Sequence, residues 1–303
     1  MLISVPDPDL VAPLRTALPD AEVVLWRMDG PPPAARIDIV VPPYTGLDVA
    51  YRFLPEVDTW LVQGQAIGYE VVEPLLPAGY RFANAATVHE TATAELAVTL
   101  SLAAQRGLAG FLRDADAGRW HQHSTPGLAD RRILLLGYGG VGRGIAARLA
   151  GFEASVTPVA SRARTQDGVN VRAIADLPAL LPHADILIGA LPGSDATRHL
   201  IDDRALAALP DGALVVNVGR GSLIDPDALL RHARAGRIRA ALDVTEPEPL
   251  PPDHPLWTAP GVLITPHVAG LSSAYLPRFL RLVAEQVDRF RRGEEPRNVV
   301  LAR

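Results

Sequence analysis

Short apolar runs separated by proline, glycine and aspartate turns fill the early part of the chain, at Leu2–Val5, 23–26, 37–41, 59–63 and 81–84. That spacing predicts strands alternating with helices. From Thr91 an Ala/Leu-rich stretch (Ala94, Leu96, Leu100, Leu102, Ala103) has helical spacing and continues toward Trp120, predicting a helix that connects two lobes. A second series opens with the apolar residues of Arg132–Leu136, which run directly into Gly137-Tyr138-Gly139-Gly140-Val141-Gly142 and then an Ala/Arg/Leu helix ending near Gly151. Further runs follow at 155–159, 185–190, 213–218, 239–244 and 262–265, most of them continuous rather than alternating. Strands buried on both faces of a helix-covered parallel sheet read this way. A last helix is predicted over 275–292, with Asn298-Val299-Val300 returning to finish the first lobe.

At 303 residues the chain is long enough for two globular lobes, each with its own core. The net charge of -5, with no block of like charge, gives no electrostatic footprint for nucleic acid or an anionic bilayer. There is no cysteine, which removes thiolate nucleophiles, disulfides, iron-sulfur clusters and cysteine-ligated zinc. All 29 basic residues are arginine, so Schiff-base chemistry and the P-loop lysine are excluded as well. The amino terminus lacks a basic leader and no apolar run approaches membrane-spanning length, so the chain reads as soluble and cytoplasmic.

The glycine loop is a dinucleotide fingerprint in its proper context, after a strand and before a helix. Gly137 permits the tight turn, Gly139 lets backbone amides approach a pyrophosphate, and Gly142 allows close packing of the helix, whose positive end then faces the phosphates. Gly140 and Val141 complete the loop. The next strand ends in Ser161 and Arg162, where an NAD site usually carries an acidic ribose reader. A serine and an arginine suit a 2'-phosphate, which favours NADP(H), with NAD(H) possible.

Three later strand ends carry polar groups: Arg220 in Asn217-Val218-Gly219-Arg220-Gly221, Glu246 and Glu248 in Asp243-Val244-Thr245-Glu246-Pro247-Glu248-Pro249, and His267 in Thr265-Pro266-His267. A planar guanidinium suits a carboxylate and its neighbouring carbonyl, and a glutamate paired with a histidine suits a proton donor held in orientation. The pair His121-x-His123 beside Trp120 is read as surface rather than metal-binding, and no metal is expected.

Together with Leu191-Pro192 and Ala94-Glu95, these segments closely resemble the D-isomer-specific 2-hydroxyacid dehydrogenase family, in particular its NADPH-dependent glyoxylate and hydroxypyruvate reductases. The resemblance implies an α/β fold of two doubly wound parallel-sheet domains: a Rossmann cofactor domain, 98–273, inserted into a flavodoxin-like substrate domain made of 1–97 and 274–303. It implies that His267 exchanges a proton with the substrate, that Glu248 rather than Glu246 holds it, and that Arg220 orients a small 2-oxo or 2-hydroxy acid. Pro192, Val218, Asp243 and Gly270 are implied at the cofactor, with Asp243 at its nicotinamide end. Ile67-Gly68-Tyr69 matches, less closely, the family's carboxylate-gripping loop, and a homodimer formed through the cofactor domains is implied too. The rival reading from another class is an NAD(P)(H)-sensing binding protein of corepressor type that keeps the same architecture.

Overall fold

The computed structural model describes residues 1–303 and divides into two units, Met1–His89 with Ser273–Arg303, and Glu90–Ser272. The first unit is a sheet of β1 (Leu2–Val5), β2 (Glu22–Leu25), β3 (Ile39–Val40), β4 (Leu61–Gln63) and β5 (Arg81–Ala83), with a closing strand Val299–Ala302. Its order is closing strand-β5-β4-β3-β1-β2, parallel throughout except for the closing strand, which pairs antiparallel with β5. Both faces are covered. On one, Ile3, Val5, Leu10 and Leu14 pack with Phe279, Leu282 and Val283 of the returning helix Tyr275–Arg291. On the other, Trp26, Ile37, Val40, Leu54, Val62 and Phe82 form a second core. Phe279 is fully buried, a contribution of about 1.5–3 kcal/mol for removing such a side chain from water.

The second unit is an eight-stranded sheet: β6 (Arg132–Leu136), β7 (Ser155–Ala160), β8 (Arg164–Gln166), β9 (Val169–Ala173), β10 (Ile186–Gly189), β11 (Ala213–Asn217), β12 (Ile238–Leu242) and β13 (Val262–Ile264). Its order is β13-β12-β11-β10-β6-β7-β9-β8. The continuous apolar runs are explained by the two cores. Leu134, Leu136, Leu187, Val215 and Leu242 face one, while Ile133, Leu135, Ile188, Val216 and Ala241 face the other. From β6 the chain winds one way to β7 and later returns on the other side to β10, so the strand order reverses at β6. In open α/β sheets the crevice at such a reversal, beyond the carboxyl ends of the strands, is where ligands bind.

The helix Glu90–Gln105 falls wholly in the second unit, so the units part at 89/90 and 272/273 rather than at 97/98 and 273/274. Its Ala94, Ala97, Val98 and Leu100 are buried in the core shared with β6, and a Cβ on Gly144 would stand 3.0 Å from that of Ala94, which shows how closely the two helices approach. The hairpin β8-β9 does not follow from apolar patterning because β8 is mostly exposed. Its signal is the two-residue turn Asp167-Gly168, with φ of 53° and 77°, the pairing of left-handed residues that a tight hairpin requires. No helix is long and apolar enough to cross a membrane.

Candidate active site

The carboxyl ends of β6, β7, β10, β11, β12 and β13 carry nearly all of the polar residues singled out from the sequence. At the end of β6, Gly137 has φ 102°, and a Cβ on Gly142 would lie 1.9 Å from the Gly137 carbonyl oxygen. Only glycine lets the helix Gly140–Leu149 start so close against the turn. A Cβ on Gly140 would run into Glu90, and Val141 is partly exposed at the first turn. A Cβ on Gly139 would meet nothing within 4 Å. That glycine therefore serves no packing inside the protein, and the exposed space before the helix N-terminus is the kind of cradle a pyrophosphate fits.

At the end of β7, Ser161 and Arg162 are exposed. Arg164, two residues further on, is placed by the hairpin rather than by the strand end. The hairpin brings its guanidinium back to the fingerprint, where Nη2 donates to the Tyr138 carbonyl at 3.4 Å while Nε donates to Gln166 Oε1 at 2.9 Å. At the end of β10, the exposed Pro192 accepts a hydrogen bond from the Thr197 hydroxyl at 2.9 Å, and buried Val218, after β11, donates its N–H to Gly189 at 3.0 Å.

Arg220 leaves β11 in extended backbone and is held from below. The fully buried Asn217 donates to the Arg220 carbonyl at 2.8 Å and accepts from the Gly219 N–H at 3.1 Å. The turn after β12 packs on this loop so closely that a Cβ on Gly221 would stand 1.8 Å from the Thr245 carbonyl oxygen. Glu248, from that turn, is hydrogen-bonded to Nδ1 of His267, from the loop after β13. Glu246 turns elsewhere, to Arg198 and His199.

His267 has a left-handed backbone, φ 52°, which a non-glycine residue adopts only where its surroundings hold it. Here they do. Its N–H donates to the Asp243 carbonyl at 2.8 Å, and the buried Asp243 carboxylate accepts from the Thr265 hydroxyl at 2.6 Å, the Val268 N–H at 3.0 Å and the Ala269 N–H at 2.9 Å. The Asp243 carboxylate is thus engaged with the loop that carries His267. Gly270 follows in the turn closed by the Leu271 N–H on the Val268 carbonyl.

The hydrogen bond to Glu248 raises the His267 pKa above the ordinary histidine value; burial opposes this, the negative charges of Glu248 and Asp243 add to it, and Arg220 subtracts. Burial pushes the Glu248 carboxyl up, but its hydrogen bond from His267 and the charges of His267 and Arg220 leave it below the ordinary glutamate value. The result is an imidazole that keeps its proton to higher pH than an ordinary histidine, with Nε2 the ring nitrogen left over from the Glu248 bond.

Ile67-Gly68-Tyr69 lies in the other unit, after β4. Asn84 Nδ2 donates to the Ile67 carbonyl at 2.8 Å, and Gln65, just before the loop, is pinned by the Tyr275 hydroxyl at 2.6 Å and by its own donation to Pro42 at 2.8 Å. His121 pairs with Asp114 at 3.3 Å and its ring lies tilted against that of His123, and no three His, Asp or Glu residues are arranged to hold a metal.

Residues 98–269 match the NAD-binding domain of D-isomer-specific 2-hydroxyacid dehydrogenases. The chain belongs to that family. A glyoxylate reductase of Aeropyrum pernix is 34% identical over 257 residues, covering 79% of this chain and 76% of its own. Among solved structures, a family member from Xanthobacter autotrophicus in complex with NADPH and MES is 28% identical with a TM-score of 0.83, over 99% of this chain and 97% of that one. An NADPH-dependent glyoxylate/hydroxypyruvate reductase from Sinorhizobium meliloti, in complex with NADP and sulfate, is 28% identical with a TM-score of 0.82 over the same shares. This 2-hydroxyacid dehydrogenase is therefore an NAD(P)-dependent oxidoreductase.

Proposed function

We propose that this dehydrogenase reduces a small 2-oxo acid of the glyoxylate or hydroxypyruvate type with NADPH, with His267 as the proton donor. The Glu248–His267 pair beside Arg220 carries this reading. When bound, the nicotinamide supplies the hydride to the 2-carbon. Arg220 orients the substrate carboxylate and polarises the neighbouring carbonyl, and the alkoxide that develops on its oxygen takes the proton from Nε2 of His267. Glu248, bonded to Nδ1, fixes the ring and stabilises the imidazolium before transfer. In the oxidation direction neutral His267 takes the hydroxyl proton. Ile67-Gly68-Tyr69 is proposed to offer backbone amides to the substrate carboxylate, and the unit from Glu90 to Ser272 is proposed as the cofactor domain.

The fingerprint glycines Gly137, Gly139, Gly140 and Gly142 with Val141 would hold the pyrophosphate, and Pro192, Val218 and Gly270 would line the cofactor. Exposed Ser161 and Arg162 at the end of β7, with Arg164 behind them, support a 2'-phosphate site, and the solved relatives that carry NADPH or NADP agree with it. The test is the initial rate of NADPH and, separately, NADH oxidation with glyoxylate, hydroxypyruvate, pyruvate and phenylpyruvate. A high rate with NADPH and one of the first two acids is expected; a preference for NADH removes the 2'-phosphate reading, and no turnover with either favours the cofactor-sensing alternative.

A homodimer is part of the same proposal. The helix Leu108–Asp116 buries none of its residues, Leu112 is 57% exposed and the nearby Trp120 is 97% exposed, so an apolar face is left for a second copy. Light scattering on the wild type should give twice the chain mass, and a monomer would remove this part.

A further inference from the structure

Glu246 stands two residues before Glu248 on the same turn, and it is gripped on both sides. Its Oε1 accepts from Arg198 Nη1 at 2.6 Å and its Oε2 bonds to His199 Nε2 at 2.7 Å. Arg198 and His199 belong to a strap that begins at Pro192. The Arg198 N–H donates to Ser194 at 2.9 Å, the His199 N–H to Ser222 at 2.7 Å, and the Ile201 N–H to Leu223 at 3.0 Å. His199 itself sits in left-handed backbone, φ 48°. The strap is thus sewn to the loop after Arg220, which in turn touches the Glu248 turn backbone to backbone at Gly221 and Thr245. Glu246 closes this ring with side chains, joining the strap to the turn.

A lone surface ion pair contributes little. This one differs because both carboxylate oxygens are engaged, the Glu246 side chain is only 25% exposed, and its partners sit on a strap bonded to the Arg220 loop. Burial pushes the Glu246 carboxyl up, yet the bonds and charges of His199 and Arg198 hold it below the ordinary glutamate value, so the carboxylate stays ionised near neutral pH. We propose that Glu246, held by Arg198 and His199, is a positioning residue for proton transfer, fixing the turn that presents Glu248 to His267. This rests on His267 being the proton donor. Misplacement of a reacting group by about an ångström costs up to about a hundredfold in rate, and a turn free to shift at Glu246 moves Glu248 directly.

The test compares Glu246→Ala, Glu246→Gln, His199→Ala and His267→Ala in steady-state reduction across pH, with thermal unfolding alongside. Glu246→Ala is expected to lower kcat about tenfold while cofactor KM stays within about twofold. The alkaline limb of kcat should move to lower pH, because His267, faced by Glu248, Asp243 and Arg220, loses part of the hydrogen bond that raises its pKa. Glu246→Gln should restore part of the rate, since its amide oxygen keeps one of the two bonds. Adding His199→Ala to Glu246→Ala should cost little more, as the two changes remove the same contact. Wild-type kcat and an unmoved limb in a folded Glu246→Ala protein overturn the proposal. Where that variant unfolds at lower temperature, the same result in His199→Ala overturns it. If His267→Ala keeps its rate, the proton-donor reading fails and this inference with it; if His267→Ala is inactive while Glu246→Ala matches wild type, only the positioning role is lost.

Discussion

The buried carboxylate of Asp243, in the turn directly after β12, accepts the N–H of Val268 at 3.0 Å, directly beside His267. With the Thr265 hydroxyl and the Ala269 N–H, it receives three donors from one loop. Asp243→Asn keeps the size but turns an NH2 group toward a donor, leaving a buried amide without its acceptor. The expected result is a loss of about 1–3 kcal/mol, seen as a lower midpoint in denaturant, together with reduced kcat because the His267 loop is less firmly held. An unchanged midpoint would show that the loop does not depend on this carboxylate.

Replacing His267 by Ala removes the proposed donor and leaves the cofactor cradle intact. The expected outcome is a fall in kcat of about a hundredfold or more, the range for loss of a general acid, with NADPH affinity unchanged by fluorescence titration. Reduction at near wild-type rate would assign the proton to another group.

The pH profile follows from the raised His267 pKa. Reduction uses the protonated imidazole, so its rate should decline at a higher pH than an ordinary histidine would set; oxidation, which uses the neutral ring, should rise over that same window. Glu248→Gln removes the charge that raises the pKa, so the limb for reduction should move to lower pH. A limb that stays in place in that variant would mean that Glu248 does not set it.

Arg162→Ala tests the 2'-phosphate site. One charge-assisted hydrogen bond is worth about 1.5–3 kcal/mol, so KM for NADPH should rise about tenfold or more while KM for NADH changes little. Equal effects on both cofactors would place Arg162 outside the site. Arg164→Ala should give a smaller effect in the same direction, because this guanidinium is already shared with Tyr138 and Gln166.

Much of this protein is legible in its sequence because the determinants are local. Continuous apolar runs such as Arg132–Leu136 and Ala213–Asn217 specify strands with cores on both faces, and a glycine loop between strand and helix marks the place proposed for a dinucleotide's phosphates. Arg220, Glu248 and His267 stand out as polar groups at successive strand ends, and a parallel sheet puts all such ends on one edge. What the order of residues does not decide is which side chain meets which. Glu246 and Glu248 share the same proline-flanked turn and differ by two positions, yet one turns to Arg198 and His199 and the other to His267. The same holds for Asp243, whose partners come from 22 to 26 residues further on, and for Arg164, which a hairpin returns to the Tyr138 carbonyl. Apolar burial is set by the periodicity of one segment, whereas a hydrogen bond needs two groups brought within about 3 Å in the right direction. Only the packing of several strands and loops against one another provides that.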